Sequence, residues 1–314
     1  MTDAEQLFLT KCQSREYVRS RETFWSTVLG RPATEVIEEF LRNGLIKEAD
    51  LSSALDFKFT AKELEAMLRA RGLKVSGTKI VKISRLIEAA SGEMAKQVEN
   101  VDLLLCTEQG KVIVDDFLRR QAEERSRAER DSLTALEADD FRLATKIVNQ
   151  FHAKQVFGDG TGIDSRNSDD TSMVRKLELI ARATPRIIAN AKPEAFPYLR
   201  RAAQIAELWG EQLAETWLPE RLETGLRLDG ITAARMISFY ASNNSNLSGI
   251  RDPELAPFLK GFRVSTVGDG CPNCARLEGK IFSLDEAPEL PYEHCTSERG
   301  CRCSLITLVI GDDS

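Results

Sequence analysis

Five of this chain's seven cysteines fall within its last 44 residues, at Cys271, Cys274, Cys295, Cys301 and Cys303, with His294 beside them. No other feature narrows the fold as far. Two thiolates separated by two residues, as in Cys271-Pro272-Asn273-Cys274, reach one ion from a single tight turn. The second group, His294-Cys295 and then Cys301-Arg302-Cys303, begins twenty residues after Cys274. Six candidate ligands thus compete for four tetrahedral positions. Cys271 and Cys274 form one pair, and two of Cys295, Cys301, Cys303 and His294 complete the set, in an order that spacing leaves open. A disulfide framework is disfavoured by the odd count of five and by the Cys-x-x-Cys pair. Zinc is the expected ion, and its binding supplies folding energy to a segment with a thin apolar core. Surplus thiols, with only two histidines in the chain, favour a closed structural site over a catalytic one. Between the two groups, Gly279 to Leu284 alternates as a strand, with Arg263–Val267 and Ser304–Ile310 as expected partners. Cys12 and Cys106 stand alone and read as ordinary half-buried residues.

A second informative stretch runs from Leu55 to Ala89. Thr60 and Glu63 form a Thr-x-x-Glu capping box, which predicts a helix starting at Ala61 with Leu64, Met67 and Leu68 on one face. Gly72 is its expected stop, since glycine alone takes the left-handed conformation cheaply. Ser76 is the expected N-cap of a second helix whose apolar face runs Ile80, Ile83, Leu86 and Ile87. That helix opens with free backbone amides beside Lys79 and Lys82, an arrangement suited to phosphate. Residues 51–90 carry eight basic and four acidic side chains, whereas the whole chain carries 43 and 49. A basic island in an acidic chain is what a local polyanion contact requires.

These residues carry a resemblance. Leu64, Leu68, Arg71-Gly72-Leu73, Val75-Ser76-Gly77-Thr78-Lys79, Ile83 and Arg85-Leu86 make residues 55–89 similar to the SAP domain, a helix–loop–helix module. The resemblance implies double-stranded DNA as partner, contacted through Ser76, Gly77, Thr78 and Lys79, with Arg69, Arg71 and Lys82 nearby. Lys82 stands where that family usually has an aliphatic residue. Either the helix face is rotated, or Lys82 reaches outward and adds a phosphate contact. The tail also carries a likeness. Cys271-Pro272-x-Cys274, Leu277-x-Gly279-Lys280-x-Phe282, Pro291, His294 and Cys301-Arg302-Cys303 resemble phage head morphogenesis proteins of the Mu F-like minor-head group. There the histidine is usually separated from Cys-Arg-Cys by two residues. Here Cys295 and the extra residues Thr296–Gly300 follow His294, which implies that Cys295 can take over a ligand role.

The expected fold is mainly α and multi-domain. It comprises an N-terminal helical segment (1–50), the SAP-like unit (51–92), a charged helical spacer (93–157), a linker (158–172), a helical domain (173–260) and a small zinc-stabilised, β-containing module (261–314). Within the spacer, residues 119–132 hold no apolar side chain beyond Ala122 and Ala128. In the helical domain, Leu199 to Leu218 suggests one long helix on which Trp209 and Trp217 share a face. The start of the chain has no cationic stretch followed by an apolar run, and no run of 18 apolar residues occurs, so the expected compartment is the cytoplasm. Residues 263–314 carry five basic and nine acidic side chains, which makes the tail a poor DNA binder and suits it to self-assembly or contact with a protein partner. The leading expectation is a non-catalytic DNA-binding protein that reads duplex shape weakly. A phage-type structural or packaging protein is the second reading. A nucleic-acid-processing enzyme is the third, and no paired carboxylates or partnered histidine support it, His152 included.

Overall fold

The structure, a computed structural model, describes residues 1–13, 22–156, 170–250, 258–267, 271–283 and 285–310, with backbone alone at 245, 246 and 248–250. The chain divides into two compact units, Met1–Glu124 and Arg125–Ser314. The described residues are mainly helical, as expected, with short strands in each unit.

In the first unit, α1 (Asp3–Gln13), α2 (Glu22–Leu29) and α3 (Ala33–Arg42) close on one core. The apolar residues of α3, Ala33, Val36, Ile37 and Phe40, recur at helical spacing and are all buried. Phe8 sits at the centre, its ring 5.0 Å from that of Trp25 and 6.0 Å from that of Phe40. The chain stops at Asn43-Gly44 and enters β1 (Ile46–Glu48), which pairs antiparallel with β2 (Leu104–Cys106), Ile46 opposite Cys106. All residues between these strands form a separate excursion: α4 (Leu51–Lys58), α5 (Ala61–Ala70) and α6 (Lys79–Val98). The excursion has its own core of Leu55, Leu64, Leu68, Ile83, Leu86, Met94 and Val98. It therefore reaches past residue 92. The expected spacer is also redrawn. Leu104 and Cys106 and then Val114, on α7 (Glu108–Glu137), are buried in the first core.

Local chemistry explains the excursion. The capping box forms as expected: Glu63 N donates to Thr60 Oγ1 at 3.3 Å, and Thr60 N donates to Glu63 Oε2 at 2.7 Å. Gly72 ends the helix at φ +66°. The next helix starts later than expected, with Thr78 rather than Ser76 at the N-cap. Its backbone leaves helical geometry at Ala90, and the stretch beyond supplies Met94 and Val98 to the core. Its inner face is rotated. Lys82, Ile83 and Leu86 are buried, whereas Ile80 is 68% exposed. The charged middle of α7 is held by exposed pairs four residues apart, Arg119–Glu123 at 2.9 Å and Arg125–Glu129 at 2.8 Å.

The second unit contains α8 (Phe141–Lys154), α9 (Asp170–Arg182), α10 (Phe196–Trp209), α11 (Glu211–Trp217) and α12 (Gly230–Ile250). The expected linker at 158–172 falls outside the described residues up to 169, and α9 already begins at Asp170. The long helix expected over 199–218 is broken. Gly210 adopts φ +93° and ψ 164°, a conformation nearly confined to glycine. The break parts the two tryptophans. Trp209 lies 5.5 Å from Phe151 and 5.8 Å from His152, and its Nε1 donates to Ser132 Oγ at 2.8 Å. Trp217 lies 6.2 Å from Tyr198. Beyond α12 come β3 (Leu259–Ser265), α13 (Pro272–Ala275), β4 (Ile281–Phe282) and β5 (Ser304–Val309). The strand order is β4-β3-β5, so residues 304–309 pair with β3 and not with β4 as expected. Nor is the tail a domain of its own. Its five cysteines share one hydrophobic core with α9, α10 and α12.

Candidate metal centre and nucleic-acid interface

The tail converges because the turns that carry Cys271, Cys295 and Cys301 are each anchored. Cys271 is the N-cap of α13, and its sulfur accepts the amide of Cys274 at 3.3 Å. Arg227 donates to the Cys295 carbonyl at 3.1 Å. The amide of Cys301 donates to Met236 Sδ on α12 at 3.2 Å, and Tyr292 N donates to Cys301 Sγ at 3.2 Å. A side chain at Gly300 would meet Met236 Cε at 2.6 Å, so the cysteine loop lies directly on α12. All five thiols are buried. Cys271 Sγ lies 3.2 Å from Cys274 Sγ and 3.7 Å from Cys295 Sγ. The sulfurs form two close triads, Cys271-Cys274-Cys295 and Cys274-Cys301-Cys303.

This donor set suits a soft, thiophilic ion. Burial tends to raise the pKa of Cys271, but the amides of Thr296 and Cys274 outweigh it and bring the value down to about 6. A hydrogen bond from Cys303 does most to lower Cys301, also to about 6. Burial pushes Cys295 up to about 11 and is the main cause raising Cys274, whereas the hydrogen bond to Cys301, ahead of burial, raises Cys303. The set therefore contains sulfurs ready to act as ligands beside protonated ones that an ion would deprotonate. His294 does not join it. Its side chain is exposed, edge-on to Tyr292 at 5.4 Å with Nε2 3.7 Å from Glu293, and it belongs to neither triad. Its backbone carbonyl accepts from Asn273 at 2.8 Å, so the residue braces the Cys271 turn instead.

The basic turn is built differently from what sequence suggests. Arg85 reaches back under it and donates to the carbonyls of Lys74, at 2.9 Å, and Ser76. Ser76, Gly77 and Thr78 are exposed, and no side chain caps the first amides of α6. The four expected cations are each paired with a carboxylate: Arg69 with Glu65 at 3.3 Å, Arg71 with Glu93 at 2.5 Å, Lys79 with Asp56 at 3.1 Å and Lys82 with Glu65 at 2.6 Å. Lys82 points inward, which resolves the two alternatives in favour of a rotated face. The Lys82 ammonium, by hydrogen bond and charge, holds the Glu65 carboxyl below its ordinary value. Lys62 and Lys74 are exposed and make no ion pair among the described residues. The basic island was legible by composition, whereas three of the four ion pairs that offset half of it, Arg71–Glu93, Lys79–Asp56 and Lys82–Glu65, join residues distant in sequence.

Among the described residues no helix is long and apolar enough to cross a membrane. Cys12 and Cys106, read as half-buried, are fully inside the first core, and burial raises them to about 12 and about 11. No protein-family model matches this chain, and no curated protein or solved structure matches it either.

Proposed function

We propose that this is a non-catalytic DNA-binding protein whose excursion touches duplex phosphates and whose cysteine cluster is a structural zinc centre. The observation that carries the reading is the exposed turn Lys74–Thr78, clamped from beneath by Arg85 and opening onto the uncapped start of α6. Backbone amides at a helix start, a serine and a threonine hydroxyl, and Lys74 are phosphate-binding groups. Of the eight basic side chains, four are paired with carboxylates and Lys58 and Arg85 are bound to backbone carbonyls, which leaves Lys62 and Lys74 as the cations free to displace counterions. Two phosphate contacts give a salt slope of about −2, hence weak, shape-dependent binding.

The test is duplex binding followed by fluorescence anisotropy at two salt concentrations, for wild type and a Lys62→Glu, Lys74→Glu variant. The variant is expected to bind more weakly at low salt, with its slope reduced by about two. Equal binding by the two proteins rejects the reading. Ile80 and Val81, 68% and 40% exposed beside the same turn, favour a second reading in which the partner is a protein. Ile80→Asn separates the two, since it removes the apolar contact a protein partner would use without changing the charge beside the turn.

For the tail, zinc is supported by five buried thiols with no histidine among them. Stoichiometric zinc in purified wild type, reduced in Cys274→Ser, is the expected elemental analysis. No bound metal in the wild type overturns it.

A further inference from the structure

The spacing of the five sulfurs carries more than the presence of a metal. In a tetrahedral centre with metal–sulfur bonds of about 2.3 Å, four sulfurs lie roughly 3.8 Å apart, each close to the other three. The cluster is not arranged in that way. It falls into two threes, each with its sulfurs within 4.8 Å of one another, and Cys274 alone belongs to both. The first three already stand near the spacing a bound ion requires, at 3.2 and 3.7 Å. Gathering a fourth sulfur around them would pull Cys301 or Cys303 away from its place. Cys301 is held there by Met236 Sδ and by the Tyr292 amide, at 3.2 Å each.

We propose that the cluster binds two divalent d10 cations, one in each triad, with the Cys274 thiolate bridging them. The proposal rests on the reading of the cluster as a metal centre and specifies its stoichiometry. Charge supports two ions of this class. One divalent ion held by four thiolates, with the fifth sulfur left as a thiol, would leave two negative charges in a buried site, a costly arrangement. Two ions among five thiolates leave one negative charge, and Arg302 lines the same pocket as Cys271, Cys274, Cys295 and Cys303. Binding replaces the thiol protons with metal–sulfur bonds and releases those protons to the buffer, and no sulfur changes oxidation state. Each ion keeps one position for an oxygen donor.

Full-length protein, reduced and freed of metal, is titrated with Cd2+ while thiolate-to-metal absorbance is recorded, and the product is weighed by native mass spectrometry. Saturation at two equivalents with a two-ion mass is expected, with one ion remaining in a Cys301→Ser, Cys303→Ser variant. A Cys271→Ser, Cys295→Ser variant, which spares the loop on α12, is likewise expected to hold one. One ion in the wild type overturns the shared-thiolate pair and leaves the single-metal reading standing. No ion overturns both. Two ions retained in either double variant also overturns the assignment, because the second would have to lie elsewhere.

Discussion

Lys82 shows how far one side chain can redirect a reading. Its place in the sequence, among cations before an amphipathic helix, suggests a phosphate contact. Its burial and its 2.6 Å pair with Glu65 make it part of the core of the excursion. Lys82→Glu would set two carboxylates against each other between α5 and α6. It is expected to unfold the excursion, seen as loss of amide-exchange protection at Leu64, Leu68 and Ile83, whereas Lys74→Glu leaves that protection unchanged. Thr60 was legible from sequence because its chemistry is local: cap and acceptor lie three residues apart. Thr60→Ala is expected to cost about 1 kcal/mol in urea unfolding. Cys12 provides a pH test. Its folded pKa of about 12 stands above its unfolded value of 9.0, so the folded state retains a proton that the unfolded state releases. Its contribution is complete below pH 9 and is lost as pH rises toward 12. By about pH 10.5 the first core is expected to lose about 2 kcal/mol, and the dependence should flatten in Cys12→Ala.

At the scale of elements, what could be read was what repeats or caps. Both helices around the basic turn, the amphipathic α3 and the strand character of residues 281–282 follow from periodicity. The three-residue strands β1 and β2 do not, because a period of two needs more residues than they have. The break between α10 and α11 was hidden for another reason. Apolar spacing continues through Leu213 and Trp217 as though the helix did, and only the backbone at Gly210 interrupts it. A Cβ there would meet nothing within 4 Å, so the substitution is opposed by conformation alone. Gly210→Ala is expected to destabilise the second unit by about 1–3 kcal/mol, measured as a shifted unfolding midpoint with an unchanged metal content. The cysteine elements were legible as candidate ligands but not as a set. Spacing names Cys271 and Cys274, while the exclusion of His294 and the two triads arise from loops anchored on α12.

For the whole molecule, the two units should answer to different reagents. A strong chelator is expected to strip protection from the cysteine loops and the adjoining residues of α12 while leaving α1–α3 unchanged, as read by hydrogen exchange. High salt should act in the reverse sense, abolishing the proposed duplex contact of the excursion without disturbing the tail. The pairing of β1 with β2 has one more consequence. The chain leaves the first core at Ile46 and rejoins it at Cys106 on the neighbouring strand. The excursion is thus a cassette, spliced in where a two-residue hairpin turn would serve. Joining Glu48 to Leu104 through Asn-Gly should leave the Phe8, Trp25 and Phe40 cluster folded and remove the proposed duplex contact. A lineage could acquire or shed such a cassette in one recombination event, without repacking the core that hosts it.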